Sequence, residues 1–543
     1  MKISISQLII IQKVLKEFPW NTPRRIELIS REISDLKRPE VDLMVELDGI
    51  KLPSDQEFSP TMENIVYICH NLPIVDVQLN HEGKKVLLPE ETECLVCQVS
   101  RFRMDPRPAN VRIYDINGVL NALYFHSRCS DCKRKYYYNF IEDTEKNTRQ
   151  FRVNKKYFVI ASGVGFTTDF LNKVSLDVGL GSVSFEHIAE IFNFQFGIID
   201  SNMKLNKDIV EETWLIYRIT MISKHVKWDR KIESGKYFCE KICMNQYDEL
   251  KLAVDSKWLR HICDEVGCKD RAIICDGNEK LFRYCCSLPA NKKKGEKGEI
   301  NKIQRCINNP SRGNQNKKSN TLCQFHLTGK THDVTTFDQI DYRPRTRNLT
   351  RNLVEKFVSN EGCKVETSLN KYSERTAGMF YVVRSCGIRL SNFEMFTSES
   401  LSMVFTSLID LFGVSPSEND IKYVVYDRAC DLSPYIERLA KEGNSIAENF
   451  KFLHYIVDIF HCEKHISPKC VIGSAECKFH PDLPEFSHIR KMNMEICEQT
   501  NHILNTYKHI TRNMTYAKRL CFFKIIDNDF NERLEMKQKI NSL

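Results

Sequence analysis

Two cysteine pairs near residue 100 are the most specific chemical signal in this chain. Cys94 and Cys97 form one C-x-x-C pair, and Cys129 and Cys132 form another about thirty residues further on. Tetrahedral coordination by four thiolates requires two such chelating pairs brought together. Between them, two β-rich pieces flank Asn117-Gly118, a dipeptide typical of a hairpin turn. The spacing predicts a zinc-ribbon-like module with these four ligands, and unliganded thiols are the alternative.

A second cysteine cluster follows, and its ligand set stays open at this point. The predicted zinc ligands are Cys263, Cys268, Cys286, Cys306, Cys323 and His326. Cys285 is an alternative to Cys286, and a second ion could be held if His261 or Cys275 joined. A Lys/Asn/Gly-rich insert separates the halves of the cluster and is predicted to be a mobile loop that samples DNA or is simply solvated.

Acidic residues mark a different kind of site near the C-terminal end. In KYVVYDRACDLSP, the Val- and Tyr-rich run Lys422–Tyr426 has the composition of a buried strand, so Asp427 is expected at its carboxyl end. Where strands feed into helices, that end faces a crevice in which ligands and metals collect. Asp427 is therefore either a ligand or a helix cap.

A helix over Lys491–Ile510 could supply a second acid to the same crevice. Glu495, Glu498 and His502 share one face of it, at helical spacing. One glutamate could point into the crevice as a metal ligand, or the face could be solvent-exposed. Between strand and helix, Cys462 and His465 could begin a third zinc site, completed by Cys470, Cys477 or His480, and ordinary packing of these residues is the alternative.

The totals indicate a multidomain protein. At 543 residues and 63.5 kDa the chain is too long for one core. The net charge of +8 permits a polyanionic partner without requiring one. No segment has the apolar length of a membrane span, and cysteines in chelating pairs suggest bound zinc in an intracellular chain rather than disulfides.

The pattern along the chain predicts six regions. These are a helical lead-in (1–90), a zinc-ribbon-like cysteine cluster (91–150), a helical spacer with helices near Phe185–Phe196 and Val210–Val226 (151–255), the second cluster (256–330), a basic linker (331–352) and an α/β core (353–543). In the first cluster, the run KRKYYY at Lys133–Tyr138 could meet phosphates and stacked bases, or it could be a solvated strand end.

Five stretches in the C-terminal 170 or so residues resemble one family when taken together. They read RTAGMFYVVRSCGI, FEMFTSES, VVYDRACDL, YIVDIFHCEKH and MNMEICEQTNHILNTYKHITRNM. In this order they are similar to the Kyakuja-Dileera-Zisupton (KDZ) transposases, and the two upstream clusters resemble the cysteine clusters that accompany such transposases. The resemblance implies a nuclear protein with a ribonuclease H-like core, an Asp-Asp-Glu triad and two Mg²⁺ or Mn²⁺ ions, and DNA as partner, with homo-oligomers allowed.

Carried over by position, the family motifs give expected roles to individual residues. Asp427 matches the second acid, and Glu495 matches the helix glutamate, with Glu498 as its neighbouring alternative. Cys462 and His465 match a C-x-x-H signature. The segment where the first acid is expected contains no aspartate, so Glu361 and Glu366 are the substitutes.

The expectation is a multidomain α+β protein with a helical N-terminal region, two zinc-binding clusters and a ribonuclease H-like core. Its predicted function is that of a transposon-derived DNA-binding protein with a degraded triad. A non-catalytic zinc-dependent module that binds DNA, chromatin or proteins is the alternative.

Overall fold

The computed structural model describes residues 80–285, 375–462 and 478–541, apart from short gaps within these ranges, together with two short strands near residues 291 and 304. The described residues form two compact units. The first contains those before residue 177 together with 188–238, and the second contains 177–187 and those from 239 onward. The predicted helical lead-in before residue 80 lies outside the described residues.

Two six-stranded sheets build the first unit. In chain order its strands are β1 (Asn80–His81), β2 (Lys84–Leu87), β3 (Phe102–Met104), β4 (Ala109–Asp115), β5 (Gly118–Tyr124), β6 (His126–Cys129), β7 (Lys135–Tyr137), β8 (Phe140–Asp143), β9 (Thr148–Phe151), β10 (Tyr157–Ala161), β11 (Val164–Thr167) and β12 (Lys227–Asp229). One sheet has the order β1-β2-β5-β4-β11-β10, and the other has the order β12-β9-β8-β7-β6-β3.

The hairpin predicted at Asn117-Gly118 is confirmed. It joins β4 to β5, and Asp115 Oδ1 accepts a hydrogen bond from the Asn117 backbone N–H at 3.0 Å. Gly118 has φ of +128°, a backbone conformation that side-chain-bearing residues rarely adopt. The dipeptide therefore fixes the turn that starts this antiparallel pair.

Helices follow the strands of the first unit, as the periodicity predicts. They are α1 (Thr168–Gly179), α2 (Phe185–Gln195) and α3 (Lys207–Ser223). The last two confirm the helices predicted near Phe185 and Val210. Tyr114 of β4 packs its ring against Phe166 of β11 and Phe192 of α2, so strands and helix share an aromatic core.

A five-stranded mixed sheet forms the centre of the second unit. Its strands are β13 (Ala272–Asn278), β16 (Gly378–Arg384), β17 (Arg389–Met395), β18 (Tyr423–Tyr426) and β19 (His454–Ile456), in the order β17-β16-β13-β18-β19. The three strands β17, β16 and β13 are antiparallel, and β13, β18 and β19 are parallel. The short strands β14 (Asn291–Lys292) and β15 (Ile303–Gln304) pair only with each other.

The first strand of this sheet lies elsewhere than the sequence indicated. It was expected just before β16, in the segment with Glu361 and Glu366, but those residues lie outside the described part of the chain. In the sheet, β13 lies between β16 and β18. In the sequence, β13 comes before β16, and residues 279–377 separate the two strands. The strand β13 was not predicted, because the run AIIC was counted with the second cysteine cluster.

Helices cover this sheet and lead into its strands. They are α4 (Phe238–Trp258), α5 (Leu401–Phe412), α6 (Ala429–Lys441), α7 (Ser445–Glu448), α8 (Ile459–Cys462), α9 (Ile496–Asn505), α10 (Lys508–Thr511) and α11 (Tyr516–Asn541). At the start of α5, Ser400 accepts a hydrogen bond from the Met403 N–H, and Gly413 ends the helix. Among the helices of the described ranges, none is both long and apolar enough to cross a membrane.

One face of the sheet is closed by the chain that leads into α9. Ile274, Val425 and Ile456 from three parallel strands pack with Met492 and Cys497 in one buried cluster. The Cys497 thiol also donates to the Ile274 carbonyl at 3.4 Å. This packing holds the start of α9 against β13.

Candidate metal and carboxylate sites

The four predicted cysteines of the first unit come together. The sulfur atoms of Cys94, Cys97, Cys129 and Cys132, here called the four-cysteine group, all lie within 4.8 Å of one another. The Cys94 and Cys132 sulfurs are 3.4 Å apart, and those of Cys97 and Cys129 are 3.5 Å apart. Four Zn–S bonds of about 2.3 Å in a tetrahedron give sulfur–sulfur distances of about 3.8 Å. The group therefore has the donors and spacing to hold a metal ion such as zinc.

Both cysteine pairs end in the same backbone geometry. Gln98 directly follows the first pair with φ of +55°, and Lys133 directly follows the second with φ of +59°. The left-handed conformation of these residues reverses the chain direction after each pair, so that the two thiols of a pair lie on the same side. The supporting strands are β3, β6 and β7, whereas the hairpin of β4 and β5 belongs to the other sheet. The β4–β5 hairpin, which the zinc-ribbon prediction placed between the two pairs, therefore does not bring the cysteines together.

Hydrogen bonds favour a thiolate at Cys94. Burial raises the pKa of this thiol, but hydrogen bonds from the backbone of Cys97 and from the Tyr136 hydroxyl outweigh burial and bring it to about 6. The Tyr136 hydroxyl lies 3.1 Å from the Cys94 sulfur and also accepts the Leu95 N–H. A thiolate is the form of cysteine that binds metal.

A second group that could hold a metal lies in the second unit. It consists of His261, Cys263, Cys268 and Cys386, here called the core metal group, whose donor atoms lie within 4.8 Å of one another. The predicted ligands Cys263 and Cys268 are present, and His261 joins them as one of the alternatives. Cys386, at the turn between β16 and β17, was not predicted. Cys275 is buried in β13 and takes no part in the group.

Several predicted zinc ligands cannot be placed. Cys286, Cys306, Cys323 and His326 lie outside the described residues, and so do His465, Cys470 and Cys477. Cys462 is the last residue of α8, and its backbone N–H bonds the Asp458 carbonyl. His480 is buried, and its Nδ1 accepts the Asp482 N–H at 3.1 Å. The third zinc site stays a prediction.

Two aspartates lie side by side where parallel strands end. Cys275 of β13 is in register with Tyr426 of β18, so the residues that follow, Asp276 and Asp427, occupy adjacent positions and face the same side. The register of β18 with β19 continues the row to Asp458, which is buried. Asp427 is therefore at the strand end where the sequence predicted it. Asp276 and Asp458 were missed.

A glutamate on α9 faces the same row. Asn501 donates from Nδ2 to Asp276 Oδ2 at 2.8 Å, and Glu498 lies one turn before Asn501 on the same face. The charge of Glu498 acts on Asp276. Glu495, the helix glutamate expected from the motif, stands at the N-cap position of α9. Both glutamates are exposed, and Glu498, the alternative, is the one whose charge contributes to raising the pKa of Asp276.

A further glutamate, Glu399, approaches from the segment before α5. Its carboxylate lies so close to Gly277 that a methyl group on that glycine would overlap it. A side chain at position 277 would therefore require the Glu399 carboxylate to move. Together with Asp276, Asp427 and Glu498, this acid completes a cluster at the carboxyl edge of the sheet, here called the carboxylate site.

The carboxylate site is electrostatically strained. Burial and the charges of Glu399, Asp427 and Glu498 raise the pKa of Asp276 to about 8. Burial and the charge of Asp427 raise that of Glu399 to about 7. Carboxylates that repel one another in a partly buried edge are what a divalent cation would stabilise, because its charge removes the repulsion.

The signal for Asp276 was present in the sequence. AIICDGN is a short apolar run that ends on an acid before a glycine, the pattern that identified KYVVYD. Cys386 carried no such signal, because it stands alone in sequence and reaches its partners only through the pairing of β16 with β13.

A family model matches a segment that contains the four-cysteine group. Residues 83–196, from just before β2 to the end of α2, match the family model described as a CxC5-like cysteine cluster associated with KDZ transposases. Searches of curated proteins and of solved structures found no match. All four cysteines of the four-cysteine group lie inside the matched range. The predicted resemblance of the first cysteine cluster to those that accompany KDZ transposases is therefore confirmed, since residues 83–196 are similar to the CxC5-like cluster.

Proposed function

We propose that the second unit is a ribonuclease H-like transposase core that cuts and joins DNA strands with two divalent metal ions. The observation that carries the proposal is the convergence of Asp276, Asp427 and Glu498 at one edge of the sheet. Two-metal phosphodiester chemistry requires carboxylates that meet from separate elements. In this chain they come from the first strand of the sheet, its parallel neighbour and a later helix.

The strand order supports the same proposal. An antiparallel set of three strands is followed by a helix, and two parallel strands then extend the sheet on the far side of β13. In this order β13, the first strand in sequence, lies at the centre of the sheet, and its carboxyl end is adjacent to that of β18. The triad is then Asp276, Asp427 and Glu498. Asp276 is the first acid, the role for which the sequence had offered Glu366.

The chain's own groups have distinct tasks in this proposal. Asp276, Asp427 and Glu498 would hold the metal ions, and Asn501 keeps the Asp276 carboxylate in place through its 2.8 Å hydrogen bond. Bound Mg²⁺ or Mn²⁺ would stabilise the attacking and leaving oxygens of an in-line displacement. Glu399 adds negative charge beside Asp427 and so strengthens the attraction for a cation.

The four-cysteine group is proposed to hold a structural zinc ion. Four sulfur donors and no open position are typical of structural rather than catalytic zinc. Its neighbour KRKYYY does not support base stacking, because Tyr136 is buried against Cys94, and Arg134 and Lys135 pair with Asp143 and Glu142. We therefore assign DNA contact to the carboxylate site and propose a nuclear protein that acts on transposon ends or chromatin DNA.

The non-catalytic alternative loses its main sequence argument. It rested on the absence of a first aspartate, and Asp276 occupies that place in the sheet. If the carboxylate site bound no metal, the alternative function would apply, namely zinc-dependent binding of DNA, chromatin or proteins.

Nicking of supercoiled plasmid DNA by the full-length protein with Mn²⁺ tests the proposal. We expect metal-dependent nicking that falls at least about 100-fold in Asp427→Asn, since loss of even an outer partner of a metal ligand costs 10–100-fold. The matched control is Glu437→Gln, an exposed acid on α6, the helix that follows Asp427, and this variant should retain the natural rate. Nicking unaffected by Asp427→Asn, or no Mn²⁺ binding by the natural protein, would refute the proposed role.

A further inference from the structure

We propose that the core metal group is a structural zinc site that fastens the segment before β13 to the turn between β16 and β17. This site would be separate from the CxC5-like cluster, and its ligands would be His261, Cys263, Cys268 and Cys386. Three ligands precede β13, and the fourth follows β16. The family match, which ends at residue 196, does not reach any of them.

The donor set is that of a closed zinc site. The sulfurs of Cys268 and Cys386 are 3.6 Å apart, close to the spacing within the four-cysteine group. His261 Nε2 is buried and has no hydrogen-bond partner among the described residues. A buried imidazole nitrogen without a partner is costly unless it binds something. Three thiolates and one imidazole supply the four ligands that structural zinc takes.

A buried arginine provides an independent reason for a metal here. The side chain of Arg384, two residues before Cys386, is fully buried, and its Nε and Nη1 atoms have no hydrogen-bond partner in the described part of the chain. Its Nη2 donates only to the backbone carbonyls of Leu259 and Asp420. Among the described carboxylates, none forms an ion pair with it. A buried guanidinium needs a negative counter-charge.

Zinc bound to the core metal group would supply that counter-charge. Zn²⁺ with three thiolates and a neutral imidazole carries a net charge of −1, which matches the single positive charge of Arg384. Negative charge on Cys268 and Cys386 would act favourably on this guanidinium. With all three thiols protonated and no metal, the arginine would keep only the charge of Asp420, with which it forms no ion pair.

The position of the site gives it a mechanical role. β13 and β16 are adjacent strands, but residues 279–377 separate them in sequence, so their pairing must close a long loop. Ser385 Oγ donates to the Val266 carbonyl at 2.9 Å and holds the turn beside the incoming segment. A metal bound across the same contact would lock the register of β13 against β16, and thereby the place of Asp276 at the far end of β13.

Alkylation of the full-length zinc-loaded protein tests the site without any substitution. Cys263 and Cys386 are only partly buried, so they should react with N-ethylmaleimide unless a metal protects them. We expect both to be protected, and to be labelled together with Cys268 after a zinc chelator is added. Cys430, also partly buried but outside both groups, should react at one rate throughout. Equal labelling of Cys263 and Cys386 with and without chelator would overturn the proposal.

A substitution separates this site from the four-cysteine group. Cys386→Ser should lower the zinc content by about one equivalent per chain and expose Cys263 to alkylation, while Cys97 stays protected. The matched control, Cys430→Ser, should keep the natural zinc content. Zinc content in Cys386→Ser equal to that of the control would contradict the assignment. If Cys386→Ser does not fold, the alkylation pattern of the natural chain still decides.

Discussion

The four-cysteine group and the carboxylate site are both suited to cations, but they are assembled in opposite ways. The cysteines come from one short stretch, residues 94–132, and local hydrogen bonds lower the pKa of Cys94 to about 6. The carboxylates come from residues as distant as Asp276 and Glu498, and their mutual repulsion raises the pKa of Asp276 to about 8. In the first group, hydrogen bonds from neighbours favour the thiolate at one ligand, Cys94, whereas in the second the acids repel one another until a cation binds.

This difference indicates which site stabilises the fold and which site is kept for binding or catalysis. A site whose ligands are favoured by their surroundings stabilises the structure around it. A site of crowded carboxylates costs stability, and such strain is characteristic of positions kept for binding or catalysis. Loss of metal should therefore unfold the surroundings of the four-cysteine group but leave the sheet around the carboxylate site intact.

The largest effect is expected at the four-cysteine group. Replacing Cys129 and Cys132 with Ser removes one chelating pair, so about one zinc equivalent should be lost, and β3, β6 and β7 should exchange their amide hydrogens rapidly. Hydrogen exchange followed by mass spectrometry measures this, with Cys430→Ser as control. Unchanged protection of these strands would contradict a fold-supporting zinc.

A smaller effect should identify the helix acid of the carboxylate site. Glu498→Gln removes a carboxylate that acts on Asp276, and we expect Mn²⁺ affinity to fall roughly tenfold or more. Glu495→Gln, one turn earlier at the N-cap position, should stay within about twofold. Calorimetric titration of both variants with Mn²⁺ compares them directly. The reverse ranking would return the role to Glu495.

Acid should weaken metal binding at the carboxylate site. Since the pKa of Asp276 is raised to about 8 and that of Glu399 to about 7, a cation must displace protons below these values. Mn²⁺ affinity should therefore rise from pH 6 to pH 8, by up to roughly tenfold per unit for each proton displaced. A flat profile over this range would show that these carboxyls do not contact the metal.

The smallest effect concerns the stability of the metal-free protein. Because the pKa of Asp276 is higher in the folded state than its ordinary value of 3.8, the folded state takes up a proton, and stability falls as pH rises from about 4 to 8. Asp276→Asn should therefore raise the free energy of unfolding by roughly 0.5–2 kcal/mol at pH 8.5, and by less at pH 5. Thermal melts without divalent ions measure this, and destabilisation at pH 8.5 would show that the carboxylate supports the fold.

The same contrast explains how much could be predicted from sequence. The grouping of Cys94, Cys97, Cys129 and Cys132 was predicted correctly because C-x-x-C spacing is a local signal that does not depend on the rest of the fold. The hairpin at Asn117-Gly118 and the position of Asp427 were also found, since turn chemistry and an apolar run that ends on an acid are short-range signals.

The remaining features depend on long-range strand pairing. The apolar run before Asp276 was a local signal, but it did not show which strands pair with β13. Asp276 was missed because the insertion 279–377 separates its strand from β16, and its apolar run stands among cysteines. Cys386 was missed for a related reason, since only the antiparallel pairing of β13 with β16 brings it to Cys268. Between Glu495 and Glu498, sequence could not choose, because the choice depends on where α9 lies against β13.

The measurement that tests the central claim most directly is Mn²⁺ binding to the full-length protein, compared between Asp276→Asn and Glu366→Gln. These substitutions remove the first acid inferred from the structure and the one inferred from the sequence. We predict that Asp276→Asn lowers the affinity at least about 100-fold, and that Glu366→Gln leaves it within about twofold. Loss of binding in Glu366→Gln, with natural affinity in Asp276→Asn, would contradict the assignment of Asp276 to the metal site.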